Sequence, residues 1–142
     1  MKPPCIIVVR YVLPAIRVLI ARELVEKHGL SRVRAAEKME LTPAAITQYL
    51  KKVRGEKGVK MVESSDEAVK IVSEIANRLA KGESSVYDVL QNICKACQIM
   101  RSEGLFCEMH REILPALKES EVCECRPRLS SLLSIIHGGE KR

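Results

Sequence analysis

Ser31-Arg-Val-Arg-Ala-Ala-Glu-Lys-Met-Glu40-Leu-Thr-Pro-Ala-Ala-Ile-Thr-Gln-Tyr-Leu-Lys51 is the stretch that decides how this chain folds. Ser31 is an N-cap residue ahead of a helix from Arg32 to about Met39. Thr42-Pro43 is a second cap followed by a first-turn proline, and opens a helix from Pro43 to about Val53. Two short helices joined by a tight turn form a helix-turn-helix when a small residue sits where the helices cross and an aliphatic residue seals the pair. Ala36, Glu40 and Ile46 stand at those offsets, with Ala35, Met39, Leu41, Ala45 and Tyr49 as further packing positions. Glu40 departs from the pattern, because the turn position usually holds Gly. A left-handed Glu is costly, so the sequence predicts a turn of another type here.

The surroundings of this pair are helical as well. Residues 12–28 carry Ile16, Leu19, Ile20, Leu24 and Val25 on one stripe, with Pro14 suited to a first turn and Gly29 to a C-cap. That helix is apolar enough for either a core or a dimer seam. Ser64-Ser65-Asp66-Glu67 reads as a capping box, with Ser64 and Glu67 at the required spacing. It opens a helix to about Lys81 with Ala68, Ile71, Val72, Ile75, Ala76 and Leu79 on its apolar face. Gly82 ends it. Ser84 or Ser85 caps another helix that runs toward Cys94, after which the spacing predicts a knuckle. A helical turn follows from Glu108 to Lys118, interrupted at Pro115, and a last helix from Arg128 to about Ile136. No strand pattern of useful length and no internal repeat is present. The chain has no Trp and one Phe, so its core must come from Leu, Ile, Val, Ala and Met. The fold class expected is all-α: an N-terminal helix-turn-helix domain over 1–60 and a small helical Cys-rich domain over 61–142.

Charge supports the division. Residues 1–60 hold 13 Lys and Arg against 5 Asp and Glu, a net +8, whereas residues 61–142 hold 11 against 13, a net −2. A basic half beside a slightly acidic one is the footprint of nucleic-acid binding confined to one half. On the second helix of the pair, Pro43, Ala44, Thr47, Gln48 and Lys51 would face outward. Thr42 and the helix N-terminus suit a phosphate. Gln48 has the amide that pairs with adenine, and Ala44 and the Thr47 methyl suit thymine. Lys52, Arg54, Lys57 and Lys60, with Arg32 and Arg34, would hold the DNA backbone electrostatically. A solvated linker is the plain alternative for residues 51–60. A dimer would set two such helices about 34 Å apart on a palindromic operator, with helix 12–28 or helix 64–81 as its seam.

Five of the six cysteines lie between residues 94 and 125, as Cys94, Cys97, Cys107, Cys123 and Cys125. The spacing C-x2-C-x9-C-x15-C-x-C collects enough thiolates for a tetrahedral metal or a [4Fe–4S] cluster, with one sulfur to spare. The irregular spacing favours the iron–sulfur reading. Zinc is the alternative, with His110 as a further nitrogen ligand beside Cys107. Scarce Asn and Gln with high charge resemble thermophile proteins, which keep intracellular disulfides, so a third reading stays open. Cys5 is expected to be a small buried residue. Lys95, Arg101, Arg111, Arg126 and Arg128 stand near the cysteines and can offset cluster charge. No Gly-rich nucleotide loop or paired acid and base is present, and His28, His110 and His137 lack an evident partner, so an enzyme is not expected. No apolar run is long enough to span a membrane, and the N-terminus lacks a cleavage site, so a cytoplasmic protein with no membrane partner is expected.

Lys2-Pro3-Pro4-Cys5, the run Val9 to Ala15 and the run Leu41 to Leu50 resemble the DNA-binding half of a family of archaeal transcriptional regulators. Cys94-x-x-Cys97, the run Met100 to Cys107 and His110 resemble the Cys-rich C-terminal half of its stand-alone members, with Cys123-x-Cys125 where the family has C-x-x-C. The resemblance covers nearly the whole chain. It implies a cytoplasmic helix-turn-helix regulator of operator DNA with an iron–sulfur domain.

Overall fold

The computed structural model describes residue 3 and residues 5–51 and 55–118. Among them there is no strand. Cys123, Cys125, Lys52, Arg54 and the helix expected over 128–136 lie outside the described residues.

The first helix runs unbroken from Cys5 to Lys27. It is built of α1 (Cys5–Ile7), a π-helical turn (Val8–Val12), α2 (Leu13–Arg22) and a second π turn (Glu23–Lys27). The sequence places Pro14 in a first turn; the structure places it in the interior. Proline lacks an N–H and its ring crowds the carbonyl four residues back. The helix answers by widening just before it, where the Leu13 N–H reaches back five residues to the Val8 carbonyl. At the far end the His28 N–H bonds the Glu23 carbonyl at 3.1 Å, and Gly29 at φ 66° closes the helix as expected.

Next come α3 (Arg32–Met39) and α4 (Pro43–Leu50). Ser31 Oγ accepts the Arg34 N–H and Thr42 Oγ1 accepts the Ala45 N–H, both at 3.2 Å. These are the two caps read from the sequence. Glu40, however, does not avoid the glycine-like turn. It sits at φ 54° and ψ 42° in the left-handed region, and the Leu41 N–H bonds the Ala36 carbonyl at 2.9 Å. That conformation costs a residue with a Cβ about 1–2 kcal/mol. Glycine's greater unfolded-state freedom returns part of this. Glu40→Gly is therefore expected to stabilise the fold by about 0.5–1 kcal/mol, read as a higher urea midpoint with unchanged slope.

Three later expectations shift. Residues 56–63 form a helix, α5 (Glu56–Glu63), and not a linker; Gly58 lies inside it and is buried. The cap of α6 (Asp66–Lys81) is Ser65, whose Oγ accepts the Ala68 N–H. Ser64 instead closes α5, donating its hydroxyl to the Met61 carbonyl at 2.6 Å. Then α7 (Val86–Ser102), opened by a Ser85–Asp88 capping box, runs through Cys94 and Cys97 where a knuckle was expected. Finally α8 (Cys107–Ile113) and a 3-10 turn (Pro115–Lys118) flank the break at Leu114.

The core gathers on α2. It packs against α4, α5 and α6, and α7 packs on α6. Ala15, Ile16, Val18, Ile20 and Ala21 of α2, and Ala68, Ile71, Val72, Ile75 and Ala76 of α6, are buried within the protomer. The two faces considered for a dimer seam thus lie in the core of one chain. Ala36 and Ile46 seal α3 against α4. One continuous cluster of buried residues joins Ile7 to Met109, so packing crosses residue 60, where charge and chemistry divide.

Candidate functional site

The outward face of α4 is where the sequence puts its DNA contacts. Thr42, Pro43, Ala44, Gln48 and Lys51 are exposed and Thr47 is half-buried. Ile46 on the opposite face is fully buried, which fixes the rotation of the helix. Thr42 Oγ1 is used as the cap, and its own hydroxyl proton remains for an outside acceptor. Arg32 is brought onto this face: its Nη1 donates to Thr47 Oγ1 at 3.3 Å, and that hydroxyl donates on to the Pro43 carbonyl at 3.1 Å. Thr47 therefore offers its methyl, not its hydroxyl. Arg34 is exposed two residues further along α3.

Arg22 escaped the sequence reading. Its Nε donates to the Tyr49 carbonyl at 3.3 Å, pinning the end of α4 to α2. The two residues are 27 positions apart, and nothing local signals the bond.

The basic residues of α5 are placed differently. Lys57 Nζ lies 3.6 Å from Glu112 Oε2 on α8, and Lys60 Nζ lies 3.5 Å from Glu56 Oε1. Both pairs are well exposed and weak enough to be exchanged for phosphate. A shallow groove between α5 and α8 is lined by Lys57, Lys60, Met61, Leu105, Met109 and Glu112. The helix that begins at Cys107 is thus in contact with the basic helix that follows α4.

No disulfide joins Cys5, Cys94, Cys97 and Cys107 to one another. Cys94 and Cys5 are exposed, and Cys97 and Cys107 are half-buried. Cys5 is not the buried residue the sequence suggests. Cys94 and Cys97 lie three residues apart on α7, which places their side chains on one face of the helix. Burial pushes the Cys97 thiol up; Arg101 pulls it back down, and Cys5 and Cys94 push it further up. Among the described residues no three of His, Cys, Asp or Glu are grouped to hold a metal ion. Cys94 and Cys97 come together as a pair, Cys107 stands on its own helix, and a full ligand set needs Cys123 or Cys125. His110, the nitrogen ligand of the zinc alternative, is buried in α8.

The donor chemistry fits an anionic thiolate centre. Arg111 stands one turn along α8 from Cys107, and its Nε is buried with no hydrogen-bond partner among the described residues. A buried guanidinium N–H left unpaired is costly, and sulfur of a thiolate-ligated cluster would accept it. No described helix is long and apolar enough to cross a membrane. Comparison of the chain with protein-family models, with curated proteins and with solved structures finds no match.

Proposed function

We propose that this protein is a DNA-binding transcriptional regulator whose C-terminal cysteines bind an iron–sulfur cluster, a [4Fe–4S] in the first instance, and which acts as a dimer on operator DNA in the cytoplasm. The observation that carries it is the α3–turn–α4 pair. Its turn is left-handed even at the expense of straining Glu40, Ala36 and Ile46 close its seam, and it presents Gln48, Ala44 and Lys51 to solvent. The basic excess of the first 60 residues, the Cys spacing and the resemblance to archaeal regulators support the same reading.

When bound, the cluster would supply a link, sensitive to oxygen, redox state or iron, between chain segments that the backbone leaves apart. Cys94, Cys97, Cys107 and one of Cys123 and Cys125 would hold it, and Arg111 and Arg101 would balance its charge. Cys107 opens α8, and α8 touches α5 through Glu112 and Lys57. A shift of α8 would change whether Lys57 is held by Glu112 or freed for a phosphate.

Protein purified without oxygen is expected to be brown, with broad absorbance in the visible and with iron and acid-labile sulfide in equal amounts. A colourless protein with one zinc per chain would replace the sensor by a structural clamp. On the DNA side, an operator selected from a random pool is expected to lose about 1–3 kcal/mol of preference over random DNA in Gln48→Ala. Random-DNA affinity and its steep salt dependence should remain. An equal loss on both DNAs would remove Gln48 from base reading.

A further inference from the structure

Thr47 sits in the middle of the outward face of α4, with Ala44 one turn before it, Lys51 one turn after and Gln48 beside it. A threonine in a helix divides between two rotamers, because its hydroxyl can bond a carbonyl one turn back. The two set the methyl in different places. Here one of them is chosen. Thr47 Oγ1 donates its only proton to the Pro43 carbonyl at 3.1 Å and accepts from Arg32 Nη1 at 3.3 Å. With that proton spent, the hydroxyl has nothing to donate to the acceptors that adenine, guanine and thymine present in the major groove. The methyl is what Thr47 has left for a base.

Arg32 is out of place by the rules of its own helix. It is the first residue of α3, whose first turn holds no acidic residue, and the positive end of the helix dipole disfavours a cation there. It is exposed, and its one described partner is the Thr47 hydroxyl, 15 positions away on the other helix of the pair. Helix stability does not account for an arginine at this position, whereas its reach to Thr47 does. We propose that Arg32 is a positioning residue for base reading: by holding the Thr47 hydroxyl it fixes the Thr47 methyl as a reader of the 5-methyl group of thymine. The inference rests on the DNA-binding reading of α4 and narrows it, because of the four DNA bases thymine alone carries that methyl.

Operator DNA selected from a random pool, with each thymine replaced in turn by uracil, tests this on the full chain. The replacement removes one methyl and leaves every hydrogen-bonding group of the base. At one position of each half-site the wild type should bind the uracil DNA about fourfold more weakly, the worth of one buried methyl. In Thr47→Ser that ratio should fall to one. In Arg32→Ala it should fall close to one as well, although the lost charge weakens binding to both DNAs alike. Thr47→Val in the Arg32→Ala background should restore it, since valine in a helix holds one strongly preferred rotamer and needs no hydroxyl partner. A wild type indifferent to uracil at every thymine overturns the proposal. So does a uracil effect that Thr47→Ser or Arg32→Ala leaves unchanged at every position, which would make Arg32 a phosphate contact only. Each of these results leaves the DNA-binding reading standing. A pool that yields no preferred sequence sinks that reading, and this inference with it.

Discussion

Gly58→Ala is expected to lower the stability of the fold by about 1–2 kcal/mol, because a contact that cannot relax carries an overpacking cost of about 2–3 kcal/mol. On α5, a Cβ at Gly58 would strike the carbonyl oxygen of Tyr11, lie 2.9 Å from its carbonyl carbon and 3.1 Å from Ala15 Cβ. The first two atoms are backbone, so no side chain can swing aside. Relief requires α5 to draw away from the first helix, which opens the buried contacts of Val59 and Val62. Alanine's better helix propensity returns about 1 kcal/mol, and the expected loss is net of it. Urea unfolding measures the change, with Lys60→Ala on the exposed side of the same helix as a near-neutral control. A Gly58→Ala chain as stable as the wild type would mean that α5 does not lie on the first helix. The effect should extend past stability, because α5 also touches α8 and carries Lys57.

Cys107→Ser is expected to abolish the centre and to change operator affinity by tenfold or more. A hydroxyl is a poor ligand for a soft metal, and even the outer partners of metal ligands are worth about 10–100-fold in affinity. Metal binding and folding are coupled, so the loss should loosen α8 while leaving α3 and α4 in place. Switching a two-state regulator from nearly off to nearly on takes about 5.5 kcal/mol of differential stability, which ligation of this kind can supply. Iron and sulfide analysis, with DNA titrations in the presence and absence of air, gives the result. A variant that loses the metal but keeps both operator affinity and its response to air would make the centre structural.

The exposed face of α4 was legible because it is local. Gln48, Ala44 and Thr42 could be assigned to a solvent face once Ile46 was known to be inside, since three residues of one helix suffice to fix its rotation. The cysteine centre was legible only as a spacing. Which thiols meet depends on how α7 and α8 approach one another, and the exposure of Cys5 likewise depends on what the rest of the chain leaves uncovered.

By itself the sequence determined an all-helical chain and most of its helix ends. Ser31, Thr42-Pro43, Gly82 and Ser85 each act on a backbone group within one turn, so the residues that decide the matter are adjacent in the text. It also determined that a basic half precedes a thiol-rich one. Only the tertiary structure decided that the helix at Pro14 continues through a widened turn to Cys5, that Ser65 and not Ser64 caps α6, and that Gly58 lies where α5 crosses the first helix. It alone set Lys57 against Glu112 and buried α2 and α6 inside one protomer. Each of these depends on an atom supplied from elsewhere in the chain: the Tyr11 carbonyl against Gly58, the Glu112 carboxylate beside Lys57, the Tyr49 carbonyl under Arg22. Local patterns carry no information about such partners, because packing energy depends on distances that only the folded chain defines.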